Sequence, residues 1–436
     1  IFFKSTFYSL TYRVMREKMF RRILWIMIPM LLLTSLTEAI ERRRSQFPRD
    51  FGYLIAPIPY ILPGVGTGLG VIGAFNNTFD TTTDFFVVGV GGDVEGTVTG
   101  VTDIELLSET VLLDVTYVGF NKGSQKQYAE RGIDSDPDDF NIVELQNTSL
   151  YGGRLTLTFW ERRLEFFTFQ YNIRSEPSAV IYQGKEENRQ EYENPEAFTF
   201  SRLTYGTQLD VTDDRLDPRM GVRFVLNRSD SPVTDQDSSE SYTVDTNLTG
   251  YIPLLESSTF AINYFRSDAT VTKEGVTNYQ TILDDLRANY GCTAGDPCDD
   301  SLQKLARDTE LRRKYGTASS LGGSSRLRSY AGGRFSGAHT EFYGYEFRWN
   351  LTDENTPFDL YFIKDFRTGF QLAFFYETGT VAEQREDLWT KSRNSTGLGA
   401  RLVTGSGFIY RFDVATGSEG AETTLFVDYP WGTIGQ

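Results

Sequence analysis

Apolar and polar side chains alternate with a period of two along most of this chain, from about residue 60 to the end. Phe408, Tyr410, Phe412 and Val414 share one face of a strand, while Arg411 and Asp413 share the other. The same division separates Tyr343, Tyr345, Phe347 and Trp349 from Glu346 and Arg348, and Tyr242, Val244 and Leu248 from Asp245 and Asn247. It recurs at Leu425, Val427, Tyr429 and Trp431 against Asp428, which predicts a closing strand that runs to Trp431. Segments 111–119, 154–160, 164–172, 222–228, 259–265, 370–378 and 396–403 read as further strands. In water, an aromatic face must be covered by a second layer; in a transmembrane barrel it meets lipid while the polar face meets the lumen. Short turns such as Leu255-Glu256-Ser257-Ser258 alternate with long polar connections near 121–147, 175–197, 229–241 and 268–325. That asymmetry suits a barrel with one short-turn rim and one long-loop rim. About 14 strands can be counted, and residues 83–107 or the long loops could hide a further hairpin.

Composition then narrows the class. Aromatics make up 14% and Gly is 40, whereas hydrophobic residues are only 39%, which suits strands that are apolar on one face and excludes a bundle of transmembrane helices. A net charge of −16 argues against a general nucleic-acid partner, and one His excludes a multi-histidine metal site. The expected fold is all-β, a transmembrane antiparallel barrel; a secreted sandwich or solenoid is the soluble alternative.

The first 39 residues follow different rules. Met19-Phe20-Arg21-Arg22 precedes an apolar run from Ile23 to Leu33, and small residues stand at Thr37 and Ala39. This reads as a signal peptide with a cleavage site, too short to span a bilayer, with residues 1–18 upstream of it. The expected organisation is therefore a removed segment 1–39, a short lead-in 40–61, a barrel over 62–431 and a tail 432–436. Export places Cys292 and Cys298, which flank a turn-forming Thr293-Ala294-Gly295-Asp296-Pro297, in an oxidising compartment as a local disulfide. Apolar residues at helical spacing in 281–290 and 301–308 predict a small ordered helical piece around that pair, inside the longest loop.

Three motifs carry candidate chemistry. Gly68-Leu69-Gly70-Val71-Ile72-Gly73 matches a dinucleotide fingerprint literally, but no helix follows. Gly64, Gly66, Gly68 and Gly70 instead repeat every second residue, a bare strand face that pairs weakly, and they mark 62–72 as the first strand of a weak seam with the last. His339 is the only candidate imidazole base and begins a strand at a rim; a hydrolase built on it would also need a positioned nucleophile and an oxyanion site. No cofactor is expected. The third motif is Leu321-Gly322-Gly323-Ser324-Ser325-Arg326-Leu327-Arg328-Ser329-Tyr330, a Gly/Ser-rich approach ending in Arg and Tyr. Phe375-Tyr376-Glu377-Thr378-Gly379 supplies a lumen-facing carboxylate by strand parity, so Arg328 folding inward could pair with Glu377.

Taken in this order, these motifs resemble the bacterial surface antigen superfamily of outer-membrane insertases and secretion pores, with BamA- and FhaC-like barrels. Leu327-Arg328-Ser329-Tyr330 stands where that family carries Val-Arg-Gly-Tyr, and Phe375-Tyr376-Glu377-Thr378-Gly379 is similar to its Phe-x-Asp-x-Gly strand motif. Gly397 to Arg401, Arg411 to Ala415 and the Asp-rich turn Asp213 to Gly221 follow the family's order as well. The resemblance covers about 200–431 by motif and 60–200 by pattern alone. It implies 16 strands, one long inward-folding loop, no enzymatic activity and a place in the outer membrane of a Gram-negative bacterium. It also implies assembly, insertion or translocation of polypeptide or lipid clients, with outer-membrane lipid as a partner and a separate periplasmic protein as a candidate one. The chain is read as a short form without POTRA domains. A passive porin without a client is the alternative, and a hydrolase using His339 the remote one.

Overall fold

The computed structural model describes residues 43, 45–192, 197–233, 237–295, 298–352, 358–360, 363–366, 368–404, 409–427 and 429–431. The expected signal segment, Phe408, Asp428 and the tail 432–436 lie outside the described residues.

Sixteen long strands follow one another, each antiparallel to its neighbours. They are β1 (Gly52–Leu62), β2 (Gly66–Asn76), β3 (Asp84–Gly92), β4 (Glu95–Leu107), β5 (Val111–Tyr128), β6 (Phe140–Phe159), β7 (Leu164–Ile181) and β8 (Phe198–Asp210). The second half comprises β9 (Gly221–Ser231), β10 (Glu240–Leu255), β11 (Ser258–Lys273), β12 (His339–Asn350), β13 (Thr368–Ala382), β14 (Arg393–Thr404), β15 (Ile409–Gly417) and β16 (Gly420–Val427). Three short strands, Arg189–Glu191, Phe358–Leu360 and Ile363–Phe366, attach at the rims. Since β16 returns to β1, the sheet closes as a 16-stranded antiparallel barrel. Closure leaves few unpaired backbone groups for hydrocarbon to meet.

Strand parity sorts the faces. Glu346 and Arg348 on β12 are buried in the lumen, whereas Trp349 beside them is 45% exposed on the outer wall. Arg411 and Asp413 on β15 face inward, with Phe412 outward at 42% exposure. Aromatic pairs such as Tyr345–Tyr376 and Phe347–Phe374 run across neighbouring strands of that outer band. An apolar band of this kind outside charged inward positions identifies a transmembrane barrel.

The barrel begins earlier than its sequence pattern. β1 and most of the hairpin β3–β4 lie in segments expected to be lead-in or uncertain, because β1 and β3 are apolar on both faces and β4 mixes Thr and Gly without alternation. It follows that the glycine-rich strand is not at the seam. Gly66, Gly68 and Gly70 lie in β2, fully paired to β1 and β3, and Gly64 lies in the turn before it. The glycine at 68 has a packing reason: an added Cβ would stand 2.4 Å from the Tyr60 hydroxyl, which lies across it.

The seam is β1 against β16. Among the described residues their backbones meet at one pair, Ile61↔Leu425. Farther down β1, Tyr53 and Leu54 pair with the short strand Ile363–Phe366 instead. In between, the Tyr410 hydroxyl donates to the Pro59 carbonyl across the gap. The closing strand also ends sooner than its pattern. Leu425 and Val427 pair with outward Phe412 and Tyr410, but β16 stops at Val427, and Tyr429 and Trp431 turn into the lumen. Pro430 has no N–H with which to extend the ladder.

The longest connection carries α1 (Tyr279–Tyr290) and α2 (Asp299–Tyr315). Asn278 caps α1 by accepting from the Thr281 N–H at 2.9 Å. Ile282, Leu283, Leu302 and Ala306 form a small core of their own, closed by the Cys292–Cys298 disulfide. The hairpin is tied to the neighbouring loop through Arg131, whose guanidinium donates to the Gly316 carbonyl at 2.9 Å.

Candidate functional site

Beyond α2 the chain dives into the barrel. Leu321 and Phe335 exchange backbone hydrogen bonds at 2.9 and 3.0 Å, pinching residues 322–334 into a closed loop whose tip is buried. Leu327 holds a left-handed φ of 52° at 0% exposure, a conformation that surrounding packing must enforce. That turn aims Arg328 at the wall.

Three carboxylates receive it. The Arg328 backbone N–H and Nε donate to the two oxygens of Glu377, both at 2.9 Å. Nη1 donates to Asp413 Oδ2 at 2.7 Å and Nη2 to Glu346 Oε2 at 3.1 Å. The planar fork lies 3.4 Å over the Phe375 ring. A guanidinium suits this position because it presents donors in fixed directions in one plane and stays charged. The carboxylates have further cations: Arg348 and Arg401 donate to Glu346, and Arg411 donates to Asp413. Burial is complete across this set, so each charge depends on its neighbours.

The flanking residues anchor the loop. The Ser329 N–H donates to Ser395 Oγ at 3.1 Å, and the Tyr330 hydroxyl donates to the Asn394 carbonyl at 3.1 Å. Tyr330 packs edge-on against Phe335. Gly379 leaves room for Leu321, whose Cδ1 would stand 2.6 Å from an added Cβ. Sequence parity put Arg328 with Glu377; it did not single out Glu346 and Asp413, although both share the inward parity.

A second approach comes from the end of the described chain. Trp431 is 3% exposed, and its indole N–H donates to Glu377 Oε1 at 2.9 Å. Its carbonyl accepts from Asn247 Nδ2 at 2.8 Å, and the Tyr429 hydroxyl donates to Asp217 Oδ1 at 2.6 Å. Asp217 belongs to the Asp-rich turn between β8 and β9, where Asp213 Oδ1 accepts from the Arg219 and Met220 N–H groups. The alternation of apolar residues up to 431 concealed this inward turn.

Other sequence candidates lie apart. His339 starts β12 on its outward face, with Nδ1 2.7 Å from Asp268 Oδ1, away from the lumen network. Among the described residues, no group of His, Cys, Asp and Glu is placed to hold a metal ion.

No family model and no curated protein matches this sequence. Among solved structures it is similar to BamA from Haemophilus ducreyi lacking POTRA domains 1–3, with a TM-score of 0.47 and 12% identity over 88% of this chain and 70% of that one. CdiB from Escherichia coli gives a TM-score of 0.47 and 12% identity over 86% of this chain and 62% of that one. CdiB from Acinetobacter baumannii gives 0.47 and 11% over 87% and 60%. The chain thus spans less than two thirds of the length of either CdiB chain.

Proposed function

We propose that this barrel resides in the outer membrane of a Gram-negative bacterium and assembles, inserts or translocates polypeptide or lipid clients, with the β1–β16 seam as the moving part. The observation that carries this reading is the contrast between two walls of one barrel. Neighbouring strands elsewhere pair along their length, whereas among the described residues β1 and β16 share the single pair Ile61↔Leu425. On the β16 side of that seam, Arg328 locks the inward loop to β12, β13 and β15 through three buried ion pairs. A barrel so built can open on one side while the loop keeps the rest of the wall in register. The motif resemblance of Leu327 to Tyr330 and Phe375 to Gly379 supports the same role.

The test is reconstitution of the full chain in vesicles, where the folding of a denatured outer-membrane porin or the flip of a fluorescent lipid is followed beside single-channel conductance. Accelerated client insertion or lipid flip with only small conductance supports the proposal. A large, steady conductance without either activity makes the chain a passive pore.

A further inference from the structure

The lumen has two unlike halves. Around β12 to β15 the inward positions carry Glu346, Arg348, Glu377, Arg401, Arg411 and Asp413. On β1 to β5 they carry Ile58, Ile72, Val88, Val98, Val118 and Phe120, related to one another by direct cross-strand pairing or shared parity. Charge on the inner wall of β3 and β5 is confined to the two ends, as Asp84 and Asp114 at the short-turn rim and Lys122 and Lys126 at the long-loop rim. The outer face of the same strands is also apolar, with Leu69 and Val71 more than half exposed. A water-filled pore has a polar inner wall, so this half of the barrel is built for something other than water.

Two features say what it takes. First, the apolar inner wall is continuous with the lipid-facing band around the seam. Ile61 and Leu425 meet on the outside, and the next residue of β16, Phe426, faces inward at 38% exposure. Second, the β1 edge at the seam is a poor template for an incoming strand. The Pro59 carbonyl faces the gap, where Tyr410 donates to it, and Pro57 shares its parity. Neither proline has an N–H, so the edge lacks two consecutive donors that strand addition would use.

We infer that the inner wall of β1 to β5 is a binding track for the acyl chains of a glycerophospholipid, which enter from the bilayer through the seam. This names the client class of the function proposed above and rests on that reading. Acyl chains need no backbone donors and gain from apolar surface alone, and Val88, Val98, Val118 and Phe120 give them an apolar patch on the inner wall near the seam.

The full chain in phosphatidylethanolamine vesicles, doped with a phosphatidylcholine carrying a diazirine at its acyl terminus, tests this. After photolysis, adducts on Val88, Val98 and Val118 are expected beside those on outward Leu69 and Val71. An Ile61→Cys/Leu425→Cys disulfide should abolish the inward adducts and leave the outward ones, and Val98→Ser should weaken the inward set without unfolding the barrel. Outward adducts alone, in a chain that still inserts a porin client, would overturn the lipid track and leave the proposed function standing. Inward positions protected by an unfolded client polypeptide and never labelled by lipid would assign the wall to protein and overturn it equally.

Discussion

Glu377 Oε1 accepts from two directions: from Arg328 Nε at 2.9 Å and from the Trp431 indole N–H at 2.9 Å. One carboxylate thus joins the inward loop to the residues that follow the last strand. The loop cannot shift, nor the chain end withdraw, without leaving part of that carboxylate unpaired in a dry environment.

Removing Arg328 should be costly in a specific way. Glu346 keeps Arg348 and Arg401, and Asp413 keeps Arg411, but Glu377 is left with Trp431. Arg328→Ala is expected to destabilise the folded barrel by about 3–5 kcal/mol, read as lost heat resistance on a semi-native gel. Glu377→Ala in that background should add little, whereas additive losses would show that the two do not act as a pair.

Trp431→Phe keeps most of the ring volume and loses the N–H donated to Glu377. A loss of about 1.5–3 kcal/mol is expected for a hydrogen bond to a charged group. Gly344→Ala should displace the same ring without touching Trp431 itself, because an added Cβ would stand 2.6 Å from the indole. Indole fluorescence moving to longer wavelength in Gly344→Ala would report that displacement; an unchanged spectrum would speak against it.

The disulfide should matter to the helical hairpin and little to the barrel. Cys292→Ala with Cys298→Ala removes a crosslink over a short loop, worth about 2 kcal/mol in the chain-entropy account. Protease cleavage between α1 and α2 should increase while the barrel's semi-native mobility stays unchanged.

Acid should loosen the same hairpin. Asp299 accepts from Arg287 Nε at 2.8 Å and from the Gly295 N–H at 3.1 Å, and the Arg287 hydrogen bond holds its carboxyl below the usual range. A carboxylate depressed in the folded state adds stability above its unfolded pKa of about 4 and loses it as pH falls through the lower folded value. Helical circular dichroism should therefore fall at the acid end of that window, and Asp299→Asn should remove this step.

Much of the second half of the barrel was legible because lipid and charge occupy opposite faces. Tyr343 to Trp349 and Tyr410 to Val414 alternate so cleanly that their outward and inward sets follow from parity. β1 and β3 were not legible, because Leu54, Ile58, Val88 and Val90 face an apolar inner wall and their neighbours face lipid. Two apolar faces erase a period of two. The site was half legible. Parity turned Glu377 inward, but only the fold shows that one guanidinium reaches Glu346 and Asp413 as well. At the chain end, alternation through Trp431 suggested more strand, and Pro430 was the contrary signal.

Movement of the β1–β16 seam, with the Arg328 network on β12, β13 and β15 held fixed, is the core of the proposed mechanism. Its most direct measurement is client insertion and lipid flip by the Ile61→Cys/Leu425→Cys barrel before and after oxidation, with the disulfide confirmed by gel shift. The seam account predicts that the oxidised form loses both activities and that reduction restores them. Full activity in the oxidised form would contradict it.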